Sequence, residues 1–409
     1  MGFIRVIYKG LFVFVVGVLM AWISGCTLND AERYGGVRSQ DGQSVVQTKD
    51  GGFVIAGTYE QADLTTDFYV FKIDTLGKVV WSKTYGEAGS YDYARSIILT
   101  DDGGFVVAGE TDSYGPADPD GNICNFWIIK LDALGNKVWD RVYGGPQPDG
   151  AMQVIQTDDS GYAVCGYTHN LDAMGMKVYR LDTSGGIIWE KTFTDNDALV
   201  AYSIGTTSDG GFIMAGNSSP ATGTNGDPDY VIIKMDSSGN VQWSKRYGDS
   251  SHEFARSVIQ TTDGGYIVAG HKGESFFPEG NADAWILKLD AAGEIQWSQL
   301  YGGSGYDCAY SILEVTPGEY VFAGEIQPTV NGRLGLPNAW AVKIGAYGAV
   351  EWNKNYGDTK YNAAYDIAPR MDGGFVLAGI TDNGLNRDDV YVVRLDSSGN
   401  RQVPPKKQQ

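Results

Sequence analysis

The segment Asp50-Gly-Gly-Phe-Val-Ile-Ala-Gly57 recurs along this chain and decides the fold. Each copy is a strand-like apolar run that closes on a glycine, and the closing glycines lie 50 to 57 residues apart. A period near 50 residues with short β segments is typical of propellers and solenoids. The seven copies are Asp50–Gly57, Asp102–Gly109, Asp159–Gly166, Asp209–Gly216, Asp263–Gly270, Pro317–Gly324 and Asp372–Gly379.

Each repeat reads as four strands separated by Gly, Asp, Asn and Ser turns. The second and third strands are apolar on both faces, so each small sheet must be covered on two sides, as neighbouring blades of a ring do. We therefore predict an all-β, seven-bladed β-propeller over residues 27–403, preceded by a signal peptide at 1–25 and followed by a tail at 404–409. The predicted blades lie near 44–86, 94–144, 151–193, 201–248, 255–302, 309–357 and 364–396.

The last repeat lacks a fourth strand, because Val403-Pro-Pro replaces the usual aromatic run and proline suits a strand edge or an end. Tyr34 lies ten residues before Ser44, as Tyr247 lies ten residues before Ser257. We infer that residues 30–36 supply the missing outer strand of blade 7.

Six of the fourth strands carry an aromatic pair four residues apart, which places both rings on one face of a strand. The regular placement favours packing between blades over a ligand platform. A basic residue in every third strand is expected to extend its charge to solvent or to pair with a repeated Asp. The aromatic pairs are Trp81/Tyr85, Trp139/Tyr143, Trp189/Phe193, Trp243/Tyr247, Trp297/Tyr301 and Trp352/Tyr356.

The N-terminal segment has the order of a secretion signal: Arg5 and Lys9 precede an apolar stretch from about Leu11 to Ile23. Its end, Ile23-Ser-Gly-Cys26, resembles the lipobox of bacterial lipoproteins, and this resemblance implies a lipidated Cys26. The alternative is an ordinary signal peptide with a cysteine at the cleavage point. Thr27 follows the cysteine where an Asp would retain a Gram-negative lipoprotein at the inner membrane. The resemblance therefore implies a lipid-anchored envelope protein at the outer membrane or outer surface.

Composition limits the partners. The net charge of −19 argues against nucleic acid and against direct binding to anionic lipids, so lipid on Cys26 is the expected membrane contact. Three further cysteines, Cys124, Cys165 and Cys308, predict neither a disulfide framework nor a zinc site. We expect a monomer whose partner is an envelope protein or a glycan.

The sequence contains no catalytic signature, phosphate-binding loop or dinucleotide fingerprint. The 1–2 and 3–4 turns are tight, whereas the 2–3 and 4–1 connections vary and share the other face of the ring. Variable loops on a rigid scaffold are where binding usually resides. Phe276 and Phe277, which interrupt a polar 2–3 loop, are candidate binding residues or else a local cap over blade 5.

Four carboxylates at the start of the first strands, Asp92, Asp149, Glu253 and Asp307, form a second candidate set on this face. Either they ring the mouth of the axial channel or each caps its own loop by accepting backbone hydrogen bonds. Calcium at Asp118, Asp120 and Asn122 is a weak further possibility, because the spacing copies only the start of an EF-hand loop. We expect no other cofactor.

The pattern Leu-Asp-x-x-Gly-Asn-x-x-Trp-x-Lys-x-Tyr-Gly-Gly, then Asp-x-Ala-x-Ser-Ile and Asp-Gly-Gly-Phe-x-x-Ala-Gly, resembles the β-propeller repeats of secreted bacterial and archaeal surface proteins. The Asp132/Gly135/Trp139 spacing and its copies are also similar to quinoprotein-like propeller repeats, a group that includes the lipoprotein of the outer-membrane barrel assembly machinery. The repeat resemblance implies the fold and says little about function. The lipobox, the ring and the missing catalytic signature favour a lipid-anchored binding or scaffold propeller with no evident catalytic site. The alternatives are an envelope-assembly lipoprotein and a surface polysaccharide hydrolase or lyase that uses acidic loop residues.

Overall fold

The chain folds into a ring of seven four-stranded antiparallel sheets, a seven-bladed β-propeller. The computed structural model describes residues 32–36, 38–114, 124–169, 174–219, 227–273, 281–330, 333–357, 359–382, 384 and 387–402. Within these ranges no helix has the length and apolar character needed to cross a bilayer. The predicted fold class is confirmed.

Each blade is a meander in which strand 1 is innermost and strand 4 outermost. Blade 1 contains β2 (Ser44–Gln47), β3 (Phe53–Glu60), β4 (Thr66–Ile73) and β5 (Val79–Tyr85). Blade 2 contains β6 (Asp92–Leu99), β7 (Phe105–Thr111), β8 (Asn125–Leu131) and β9 (Lys137–Tyr143). Blade 3 contains β10 (Asp149–Gln156), β11 (Tyr162–His169), β12 (Met174–Leu181) and β13 (Ile187–Phe193). Blades 4 and 5 contain β14 (Ala198–Thr206), β15 (Phe212–Ser219), β16 (Tyr230–Met235) and β17 (Val241–Tyr247); and β18 (His252–Gln260), β19 (Tyr266–Gly273), β20 (Ala282–Leu289) and β21 (Ile295–Tyr301).

The last two blades complete the ring. Blade 6 contains β22 (Cys308–Thr316), β23 (Glu319–Ile326), β26 (Asn338–Ile344) and β27 (Val350–Tyr356), with a small hairpin of β24 (Thr329–Val330) and β25 (Arg333–Leu334) inserted between its second and third strands. Blade 7 contains β28 (Asn362–Pro369), β29 (Phe375–Asp382) and β30 (Asp388–Leu395). Its fourth, outermost strand is β1 (Glu32–Tyr34) from the start of the chain, which pairs antiparallel with β30.

The aromatic residues of the fourth strands pack between blades. The Trp of one blade lies against the left-handed glycine in the 3–4 turn of the next, so that a Cβ on Gly135 would collide with Trp81. The partner Tyr donates its hydroxyl to the same glycine's carbonyl, as Tyr143 does to Gly185 at 2.5 Å. Tyr34 of β1 donates to Gly77 at 2.8 Å and so makes this contact at the closing seam. The predicted interblade role of these aromatic rings is confirmed.

The basic residues of the third strands pair with acidic residues, as the sequence predicts. Lys234 lies 2.8 Å from Asp209 and Lys288 lies 2.9 Å from Asp263, each in its own blade. Arg394 differs, because it pairs with Glu32 of the closing strand at 3.0 Å. This ion pair joins the last blade to the beginning of the chain.

A belt of hydrogen bonds also joins the innermost strands. Ser203 of blade 4 accepts from the backbone N–H of Val258 in blade 5 at 3.1 Å. At the closing seam Asp366 takes the place of the serine and accepts from the backbone N–H of Val45 at 2.9 Å. Its carboxylate also accepts from the hydroxyls of Ser44 and Ser311 at 2.9 and 3.0 Å, so it links three blades.

Candidate functional site

The four candidate carboxylates lie at or just before the start of strand 1 in blades 2, 3, 5 and 6, and they are buried. Asp92, Glu253 and Asp307 have no exposed surface, and Asp149 is 3% exposed. Asp149 accepts from the backbone N–H of Gly145 at 2.8 Å, and Asp307 accepts from Gly303 at 2.6 Å and from Gln327 at 2.7 Å. These contacts are those of loop caps.

Each of these residues lies beside an oxygen-bearing side chain at the start of strand 3 in the preceding blade. A Cβ on Gly86 would collide with both Asp67 and Asp92, and a Cβ on Gly302 would collide with both Asp283 and Asp307. Burial of the two strand-1 residues raises the pKa of Asp92 to about 6 and that of Asp307 to about 6. Asp92 and Asp307 are therefore packed into the seams between blades, with no surface exposed to solvent.

Glu253 is held differently, because Lys272 lies 3.1 Å from its carboxylate. Burial nevertheless raises the pKa of Glu253 to about 7, against the opposing effect of Lys272. In the part of the chain that the structure describes, no three His, Cys, Asp or Glu side chains are grouped as metal ligands. Cys26, Asp118, Asp120, Asn122, Phe276 and Phe277 lie outside the described residues.

A different set of side chains faces the axis of the ring. In blades 2 to 7 a β-bulge interrupts the pairing of strands 1 and 2, directly after the small residue of strand 1. A bulge leaves one residue unpaired and redirects its side chain. We call the six bulged residues, all of them half-buried, the channel residues: Arg95, Met152, Tyr202, Arg256, Tyr310 and Tyr365.

Contacts between successive blades show that the channel residues meet around the axis. The guanidinium of Arg256 lies 4.5 Å from the ring centroid of Tyr202 in blade 4 and 5.9 Å from that of Tyr310 in blade 6. Tyr310 in turn lies edge-to-face with Tyr365 of blade 7 at 5.2 Å. Four neighbouring blades thus contribute to one aromatic and cationic surface inside the channel.

The second strands add acidic and phenolic groups to this surface. Glu325 of β23 is 4% exposed and accepts hydrogen bonds from the hydroxyls of Tyr310 at 2.6 Å and Tyr361 at 2.7 Å. Burial raises the pKa of Glu325 above its usual range, against the opposing effect of both hydroxyls and of Arg256. Each oxygen of the Glu325 carboxylate thus accepts a tyrosine hydroxyl, and Arg256 acts on it without a hydrogen bond.

Beside Arg256 lies a histidine that is closed off from the channel. His271 is 1% exposed, stacks on Phe254 at 5.0 Å and contacts the Cys308 thiol at 3.3 Å. Burial, with the positive charge of Arg256 nearby, holds the pKa of His271 well below its usual range. The imidazole is consequently neutral and enclosed, and it has no access to a substrate.

On the opposite side of the channel the first arginine is neutralised. Arg95 donates from Nε to Glu110 at 3.2 Å, and Glu110 is 7% exposed. Arg95 also acts on Asp41. Burial raises the pKa of Asp41 above its usual range, and the positive charge of Arg95 opposes this rise. Among the described residues, Arg95 is thus in contact with a carboxylate, whereas Arg256, at the same position of blade 5, is not.

The channel residues were not predicted from the sequence. Simple alternation along strand 1 assigns Arg95 and Arg256 to a face of the sheet, because a bulge is not visible in a period of two. A signal does exist, since each of the six residues directly follows the small residue of strand 1 and is large or charged. A groove of about 400 Å³ on the opposite face, between blades 3 and 4, is separate and is lined by Asp159, Arg180, Trp189 and Phe212 among others.

Comparison with known proteins supports the fold. No model of a known protein family matches the chain. The chain is 23% identical over 275 residues to the regulatory protein FlaEY of the bacterium Caulobacter vibrioides, a match that covers 59% of this chain and 28% of that relative. The chain thus spans less than a third of the length of this curated relative.

Solved structures with the same architecture differ widely in sequence. Sqt1 of Chaetomium thermophilum, bound to the N-terminus of the ribosomal protein L10, has a TM-score of 0.52 at 11% identity, covering 89% of this chain and 99% of Sqt1. The polysaccharide lyase Uly1 has a TM-score of 0.56 at 11% identity, covering 92% and 94%. YCF48 bound to a D1 peptide has a TM-score of 0.51 at 9% identity, covering 91% and 97%. At these identities the likeness shows the fold alone, and the chain is a β-propeller with no assigned family.

Proposed function

We propose that this protein is a lipid-anchored binding module of the bacterial cell envelope that holds its partner at the mouth of the axial channel. The observation that carries the proposal is the chemistry of the channel residues. The Trp, Tyr, Gly and Lys–Asp positions recur from blade to blade, whereas the bulged position carries Arg, Met, Tyr, Arg, Tyr and Tyr.

Packing explains why the other positions are constant. The aromatic pairs and the ion pairs hold adjacent strands or adjacent blades together, so their identity is fixed by the fold. The bulged residues lie outside those contacts and remain half-exposed in the channel. Large aromatic and charged side chains on a rigid scaffold are typical of binding sites.

The closing strand supports an orientation for the anchored protein. β1 is antiparallel to β30 and runs from the face with the tight turns towards the face with the variable loops. Cys26 lies six positions before Glu32, a distance of at most about 20 Å in an extended chain. Lipid on Cys26 would keep the tight-turn face nearer the membrane and direct the variable-loop mouth of the channel away from it.

A binding role accounts for the carboxylates better than a catalytic one. A glycosidase needs two accessible carboxyl groups on either side of the scissile bond. Asp92, Asp149, Glu253 and Asp307 are instead buried in the seams between blades. Propellers that bind peptides and a propeller that is a polysaccharide lyase both share this fold, so the fold itself is compatible with either partner class.

The proposal can be tested by site-specific photo-crosslinking in the native envelope. A photoreactive amino acid at Met152 reports on the channel, and the same group at Val138, which is 61% exposed on the outer strand β9, is the control. We expect an adduct from Met152 only. Equal adducts from both positions, or none from Met152, would contradict a channel-mouth site, and shortened glycan products would indicate an enzyme.

The anchor is tested separately. Cys26→Ser should release the protein into the soluble fraction with the adduct at Met152 lost or weakened. A variant that stays in the membrane fraction with unchanged mass would refute lipidation at Cys26.

A further inference from the structure

Arg256 is the channel residue whose charge has no counter-ion in contact with it. Within the described part of the chain it makes no hydrogen bond or ion pair, and its Nε is buried without an acceptor. Its contacts are the aromatic faces of Tyr202, Phe254 and Tyr310. An unsatisfied buried donor on a charged group costs free energy unless a ligand supplies the acceptor.

Among the described residues no carboxylate contacts Arg256, although its charge acts on the buried Glu325 at longer range. The carboxylate of Glu325 accepts from Tyr310 and Tyr361 instead of from the guanidinium. His271 is neutral and does not compete for an anion. Positive charge is therefore concentrated at one place in the channel of a protein whose net charge is −19.

Arg95 shows what the same position looks like when its charge is satisfied. It follows the small residue of strand 1 in blade 2, as Arg256 does in blade 5, but Glu110 lies 3.2 Å from its Nε. The fold can thus supply a counter-ion for an arginine at this position. In blade 5 the residue equivalent to Glu110 is His271, which supplies none.

The geometry points to a binding site for a single carboxylate at Arg256, and we propose that an acidic side chain or a C-terminus of a protein partner provides it. A planar guanidinium binds a carboxylate through two parallel hydrogen bonds, and aromatic neighbours that exclude water strengthen the interaction. The strong negative charge of the whole protein disfavours a polyanionic glycan, whose every unit is charged. This inference rests on the proposed function and names the chemical group that the channel recognises.

The test uses four capped or free peptides and one sugar acid at constant ionic strength. The first pair is acetyl-Gly-Glu-Gly-amide and acetyl-Gly-Gln-Gly-amide, which differ only in the side-chain charge. The second pair is acetyl-Gly-Gly-Gly with a free or an amidated C-terminus, which tests a terminal carboxylate. Sodium D-glucuronate represents the sugar acids, and binding is followed by NMR titration of the ring lacking residues 1–26.

We expect at least one carboxylate peptide to bind at least about ten-fold more tightly than its uncharged partner, because a charged hydrogen bond is lost in the latter. Arg256→Met should abolish this difference, whereas Arg141→Met, on the outer strand β9, should keep it. Equal binding within both peptide pairs, or a difference that survives Arg256→Met, overturns the proposal. Preference for glucuronate over every peptide also overturns it and assigns the site to a sugar acid.

A stability measurement separates a binding role from a structural one. Without ligand, Arg256→Met should unfold at the same or a higher temperature, because it removes a cation that has no partner. Arg95→Met should unfold at a lower temperature, because it leaves Glu110 buried without its cation. A large loss of stability in Arg256→Met would make the arginine structural. If the Met152 adduct persists while the peptides show no preference, the proposed function stands and the carboxylate assignment fails.

Discussion

Phe193→Tyr should stabilise the ring, because it would complete a hydrogen bond that one seam lacks. Five fourth strands end in a tyrosine whose hydroxyl donates to a glycine carbonyl in the next blade, at 2.5 to 2.7 Å, and Tyr34 does the same at the closing seam. Phe193 occupies this position between blades 3 and 4. Gly239 below it has φ of +75° and lies against Trp189, as its equivalents lie against their own tryptophans.

The expected gain follows from the single added bond. A neutral hydrogen bond contributes about 0.5–1.5 kcal/mol to the free energy of unfolding. For a domain of this size each kcal/mol moves the melting temperature by roughly 1 °C, because the unfolding entropy grows with chain length. Tyr247→Phe makes the reverse change at an equivalent seam and should lower stability by a similar amount.

Scanning calorimetry of the ring lacking residues 1–26 can measure the melting temperatures of the two variants. Because the two shifts are expected in opposite directions, the difference between the variants is about twice the shift of either one. Phe193→Tyr should melt above the parent protein and Tyr247→Phe below it. The reasoning is refuted if Tyr247→Phe loses stability while Phe193→Tyr also loses it. That result would mean that the seam between blades 3 and 4 has no room for the hydroxyl.

Three further changes test the ring closure and the buried acids. Deleting residues 27–36 removes β1, the Tyr34 hydrogen bond and the pair of Glu32 with Arg394, and should lower the melting temperature by several degrees; an unchanged melting curve would show that another segment closes blade 7. Asp366→Ala should cost about 2–3 kcal/mol in urea unfolding, because acceptors for two backbone N–H groups disappear, and a cost near zero would contradict its bridging role. The raised pKa of Asp92 means that its stabilising contribution is complete below about pH 4 and is lost as pH rises through about 6. Asp92→Asn should therefore stabilise the ring at pH 7.5, stabilise it less at pH 5 and change little below about pH 4; a pH-independent effect would show that Asp92 does not titrate in this range.

The fold was predictable because its determinants are local and repeated. The Asp-Gly-Gly turn, the apolar second strand and the Trp of the fourth strand recur with a nearly constant period, so one repeat predicts the next. Tyr34 carried the same information for the closing strand through its distance to Ser44. Each of these signals depends only on the order of residues along the chain.

The candidate site was predictable only in part because it depends on geometry between blades. Asp92 and Asp307 lie at or just before the start of strand 1, as the sequence predicts, but their burial depends on how the glycine of each 4–1 connection approaches them. The role of Arg256 depends on a bulge and on the absence of an acid opposite it, and the sequence shows neither directly. Side-chain direction at an irregular backbone position requires the structure.

The closing strand also has a consequence for the order in which the protein folds. Glu32 pairs with Val392, so two segments 360 residues apart in the sequence must find one another. Contacts between residues so distant in sequence form late and slowly, because closing a long loop costs entropy before the contact stabilises it. Blades 1 to 6 can each assemble as soon as their own residues have been synthesised, whereas the seventh seam must wait for the entire chain. During that interval the unpaired edge of β30 is exposed, which makes the nearly complete ring the species most prone to aggregate or to require a chaperone.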